Sequence, residues 1–155
     1  MQGDVSANWD EDALGWAEGA HQNAARLAEM VGVRREQFEA DPLSALPGLQ
    51  NYVSRLPLEE FEQADWVTLH TDLVSFLGDV LVRRRRGYWK KVESGRSPVG
   101  FQYVIEAVGF DGGLYQVEPY DVVMEEFEHL PIEIGRMIAN AEAVLRVSET
   151  PVEES

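Results

Sequence analysis

Apolar residues between positions 8 and 31 recur with the period of a helix: Trp9, Leu14, Ala17, Ala24, Leu27, Ala28 and Val31 fall on one side. Asp10, Glu11 and Asp12 crowd the expected first turn, where unpaired amide groups favour anions, and Gly32 supplies a stop. Gly15 and Gly19 lie four residues apart on this helix. Such a pair either admits a close helix neighbour or only weakens the helix, and the sequence leaves both open. From 34 to 64, Pro42, Pro47 and Pro57 cut the chain into short helices joined by turns. Asp41 followed by Pro42 reads as an N-cap with proline at the first helical position, and Leu46, Leu49, Tyr52, Val53 and Leu56 make a buried side.

The strongest pattern covers 66–86. Trp66, Leu69, Leu73, Phe76, Leu77, Val80 and Leu81 form one stripe, Asp65 is the expected cap, and Gly87 ends the helix. Gly78 sits inside this helix, which predicts a tight helix contact there. After Gly87 the period changes to two. Residues 88–93, 101–108 and 114–117 read as strands, with turns at Ser94 to Pro98 and at Asp111, Gly112 and Gly113, so an antiparallel meander follows. Tyr103, Ile105 and Ala107 alternate with Gln102, Val104 and Glu106, and the sheet is expected to pack on the 66–86 helix. Pro119 opens a further helix through about Glu128, Pro131 interrupts it, and 133–147 forms the last one, with Ile134, Met137, Ile138, Ala141 and Leu145 inward. The fold class is α+β: a helical N-terminal half, a long amphipathic helix, a three-strand antiparallel meander and C-terminal helices. A single domain over 1–147 is expected, with 148–155 as a disordered acidic tail.

Composition changes this picture in two ways. The chain has no cysteine, which excludes disulfides, thiolate-bound zinc and a cysteine nucleophile and fits a reducing compartment. With neither a secretion-signal pattern at its start nor an apolar window of membrane-spanning length, the protein is expected to be cytoplasmic and off the membrane. Its 28 acidic and 13 basic residues give a formal charge of −15, which repels nucleic acid and anionic lipid and attracts a basic partner. The charge is uneven. Residues 83–96 carry seven cations and one anion, a local balance of +6 that leaves −21 elsewhere.

The run LVSFLGDVLVRRRRGYWKKV, an apolar strand and then YQVEPYDVVMEEF resembles a family of uncharacterised bacterial proteins, some of which are thought to act as immunity proteins. The resemblance spans about 65–127 and places Gly78, Gly87, Trp89, Pro119 and Asp121 on the family pattern. It implies a binding role and supplies no catalytic residue.

Candidate chemistry is sparse. His21, His70 and His129 stand on three separate helical segments without the spacing of a metal site, and Asp72, two residues from His70, points to another helical face. Pairs such as Glu59 with Glu60, Glu125 with Glu126 and Glu153 with Glu154 arise from composition and read as solvated helix faces. No nucleophile elbow, P-loop or dinucleotide fingerprint occurs, and the glycines at 112 and 113 are explained by a hairpin turn. Arg83, Arg84, Arg85, Arg86, Trp89, Lys90 and Lys91 interleave cations with an aromatic ring, the combination that grips phosphates and stacks on bases. The same arginines also suit a helix C-terminus. The expected function is therefore a non-catalytic acidic module that binds a basic protein partner through Glu125, Glu126 and Glu128, as an immunity or inhibitor protein does. No cofactor or metal is expected. A small nucleic-acid-associated protein using the Arg83 to Lys91 segment is the alternative, and an enzyme with an unrecognised carboxylate site is a third reading.

Overall fold

The computed structural model describes residues 5–147. Six helices and one sheet follow in the order α1 (Val5–Met30), α2 (Arg35–Ala40), α3 (Leu46–Ser54), α4 (Gln63–Arg85), β1 (Tyr88–Glu93), β2 (Phe101–Val108), β3 (Leu114–Val117), α5 (Pro119–Phe127) and α6 (Ile134–Leu145). Short 3-10 turns at Pro42–Ala45 and Leu58–Glu60 join the early helices. The chain is thus α+β as the periodicity predicts, and the proposed tail at 148–155 lies outside the described residues. Among the described residues no helix is long and apolar enough to cross a membrane.

The central element is α4. Leu73, Phe76, Leu77, Val80 and Leu81 on it are fully buried, and α1 lies along it through Ala20, Ala24, Ala25 and Ala28. Side chains this small let two helix backbones approach closely, so α1 contributes by proximity rather than by bulk. The leucine counted into its inward stripe, Leu14, is instead 71% exposed, while its neighbour Ala13 is buried. Helix α1 also begins at Val5, which moves Asp10, Glu11 and Asp12 beyond the first turn and away from the unpaired amides. The α4 start differs in the same sense: Glu62 is the N-cap, and Asp65, three residues on, accepts a hydrogen bond from the Glu62 N–H at 3.0 Å. Tyr52 is exposed, whereas Leu49 and Val53 of α3 are buried as expected.

The sheet has the order β1-β2-β3, antiparallel throughout, with Trp89 opposite Ile105 and Ile105 opposite Val117. That row joins the main core, with β1 against α1 and α4, β2 against α4 and α6, and β3 against α6. On the other face Val104 and Glu106 are also buried, because the long side chains of Tyr88, Lys90 and Gln116 close over Glu106. Gly78 does sit in a tight contact, but the neighbour is a strand residue: a methyl group there would overlap the Trp89 ring. Helix α4 ends with Arg86 in the left-handed region at φ 59°, and Gly87 is needed beside it because a Cβ would lie 2.8 Å from Ile105 Cγ2. The five residues expected inward on α6 are all buried.

Candidate functional site

The basic segment is engaged within the molecule. Arg83 Nε donates to Asp79 Oδ2 at 3.3 Å, and Arg84 and Arg85 both donate to Glu142 Oε2, at 3.1 and 2.9 Å. Lys90 lies 3.4 Å from Glu106 Oε1. Lys91 meets Asp12 Oδ2 at 2.7 Å and stands 4.0 Å from the centre of the Phe101 ring. Among the described residues Arg86 is the one cation of the run without an ion pair. Trp89 is only 7% exposed, its ring held against Gly78, so it offers no stacking face to a base.

The three carboxylates assigned to an acidic face do not share one. Glu125 and Glu128 are exposed. Glu126 is 3% exposed and turned inward, because it follows the buried Val123 by three residues and so stands on the same side of α5. There it accepts from Arg136 Nε and from the Glu133 N–H at 2.9 Å, tying the end of α5 to the start of α6. Glu126 is a structural residue, unavailable to a partner.

What sequence reading missed is a groove of about 1030 Å³ between α1, the first half of α4, the β1–β2 turn and the start of α5. Trp16 and Tyr103, stacked with ring centres 4.4 Å apart, form one wall, and Tyr120 packs edge-on to His70 at 4.3 Å on another. Gly15 and Gly19 lie along it with nothing within 4 Å of where a Cβ would be, so they serve no helix contact and instead expose the α1 backbone to the groove. No family model, curated protein or solved structure matches this chain. The groove must therefore be read from its own chemistry.

Two acidic stations lie in it. At one end Glu118 and Asp121 hold the Arg96 guanidinium, whose Nη2 is 2.6 Å from Glu118 Oε1 and 3.0 Å from Asp121 Oδ2. Burial and then the neighbouring Asp121 push the Glu118 carboxyl up to about 7, while the bond from Glu118 and the nearby guanidinium hold Asp121 below its usual range. Further along, burial raises the Asp72 carboxyl, partly offset by the amide of Asn23, which donates to it at 3.1 Å. His70 is kept toward its neutral form by burial, and one ring nitrogen lies 3.1 Å from the Tyr120 carbonyl oxygen.

This arrangement suits a cation. Carboxylates give Coulombic attraction, and aromatic walls add attraction for ammonium and guanidinium groups. The Ser75 hydroxyl in the wall accepts a hydrogen bond from the same Asn23 amide at 3.1 Å. Among the described residues no group of three or more histidines and carboxylates could hold a metal ion. A second, smaller hollow between α1 and α3, beside Met30, Gly48 and Tyr52, contains no carboxylate.

Proposed function

We propose that the protein is a non-catalytic, acidic protein-binding module of the cytoplasm, and that it acts as an inhibitor or immunity protein by covering a basic partner. The observation that supports this reading is the internal use of six of the seven cations between Arg83 and Arg96, which leaves a chain of formal charge −15 presenting mostly carboxylates. A field of one sign raises the association rate with a surface of the other and can block a cationic substrate groove without any chemistry. The same pairing weighs against nucleic-acid binding through Arg83 to Lys91, since Arg83, Arg84 and Arg85 already have partners and Trp89 is buried.

The test is a capture experiment with the immobilised protein at about 0.05 M and about 1 M salt, followed by a titration with the purified partner and, in parallel, with single- and double-stranded nucleic acid. Screening shortens to about 3 Å at 1 M, so a basic protein should be held at low salt and released at high salt. Retention of nucleic acid alone, lost on Arg84→Glu with Arg85→Glu, would reverse the reading.

A further inference from the structure

We propose that the groove is the seat for a basic segment of the partner, one arginine or lysine of which enters between Glu118 and Asp121 while the residues next to it run along α1 toward Asp72. The inference rests on the reading of the chain as a binding module for a basic protein and adds where, and by what chemistry, that partner is held.

Arg96 demonstrates the recognition. Its guanidinium meets both Glu118 and Asp121 through one nitrogen, Nη2, yet it comes from a surface turn and its side chain is 70% exposed. Because the Arg96 end of the pair is solvated, a guanidinium arriving from a partner can take its place. Arg96 is then a built-in competitor for the site.

The remaining walls suit a peptide. Trp16 is 41% exposed and Tyr120 58% exposed, which leaves aromatic faces for the stem or head of a basic side chain. Bare backbone at Gly15 and Gly19 allows a second main chain to lie close to α1. From Thr68 to Ser75, both in the wall, α4 rises about 10 Å, the span of about three extended residues. Asp72, further along this wall, already accepts from the Asn23 amide at 3.1 Å and feels the charge of Arg26, which also lines the groove. The occupant expected is a short extended stretch with one basic residue for the Glu118 and Asp121 station.

A fluorescein-labelled tetra-arginine peptide, followed by fluorescence polarisation at pH 8 and low salt, tests the inference. Glu118→Gln with Asp121→Asn should weaken binding at least tenfold, whereas Glu125→Gln with Glu128→Gln, the same charge change on the outer face of α5 and the residue after it, should weaken it less than twofold. Arg96→Ala should tighten binding at least threefold, and Arg55→Ala, an equal charge change outside the groove, should leave it nearly unchanged. Melting curves check that each variant is folded. If the groove pair fails to fold, the comparison of Arg96→Ala with Arg55→Ala decides alone. Equal losses from the two carboxylate pairs, or no gain from Arg96→Ala, would overturn the groove and leave the acidic-module reading standing. Failure of wild type to bind the peptide while it still holds a basic protein in a salt-sensitive way would likewise overturn the groove alone. Failure to bind either one removes both.

Discussion

Replacing Glu126 by alanine should destabilise the protein far more than the same change at Glu125 or Glu128. The Glu126 carboxylate is 2% exposed and accepts from Arg136 Nε, Arg136 Nη2 and the Glu133 N–H. Breaking a buried ion pair costs about 3–5 kcal/mol when the surviving charge is stranded. Here Arg136 remains 39% exposed and keeps the carbonyls of His129 and Pro131, at 2.8 and 3.1 Å, so its charge is not stranded. The loss then reduces mainly to the unpaired Glu133 N–H and the vacated acceptor, about 2–3 kcal/mol. For a domain of this length that corresponds to a fall in melting temperature of about 5–10 °C. Glu126→Gln, which retains an acceptor for the Glu133 N–H, should cost about half as much. Exposed Glu125→Ala and Glu128→Ala should stay within about 0.5 kcal/mol. Equilibrium urea unfolding followed by tryptophan fluorescence measures all four. A Glu126→Ala protein as stable as Glu128→Ala would refute the account of α5 and α6 as joined through this carboxylate.

The Gly78 contact predicts that Gly78→Ala costs about 1–3 kcal/mol by overpacking against Trp89, and that combining it with Trp89→Leu costs less than the sum of the two, as a double-mutant cycle would reveal. Glu118, pushed up to about 7, retains in the folded protein a proton that the unfolded carboxyl releases above its ordinary value of 4.5. Stability should therefore decline as pH rises from about 4.5 to about 7 and level off beyond, and Glu118→Gln should remove that decline in melting curves taken across the range. Arg84→Glu with Arg85→Glu places two anions beside Glu142, so the melting temperature should fall while affinity for nucleic acid, measured by polarisation, stays weak and unchanged.

The legible parts of the fold are those where period and burial agree. All three strands begin and end where alternation and turn residues place them, since each is bounded by glycine or proline chemistry. The α6 stripe is equally plain because Ile134, Met137, Ile138, Ala141 and Leu145 recur at helical spacing and all five are buried. Helix α1 is harder: its packing surface is mostly alanine, so a count of bulky residues favours Leu14 over Ala13. Glu126 is misplaced by a reading that gives charge more weight than its position three residues after Val123. The groove cannot be found as a motif, for its lining comes from residues 15–26, 67–75, 89, 96–103 and 118–121, and no one of these announces it alone. A weak local signal exists in Gly15 and Gly19, whose lack of any helix neighbour is what opens one side.

That assembly from five separate parts of the chain has a practical consequence. The groove exists only in the complete native chain, so whatever occupies it must act as a brace between the first helix and the β1–β2 turn, and its binding energy adds directly to the free energy of unfolding. At a concentration one hundred times its dissociation constant, an occupant adds about 2.7 kcal/mol, a rise of about 5–10 °C in melting temperature for a domain of this length. Heat thus becomes a detector of the natural occupant: candidate peptides and fractionated proteins can be ranked by how far they delay melting, with Glu118→Gln combined with Asp121→Asn as the reference that should not respond.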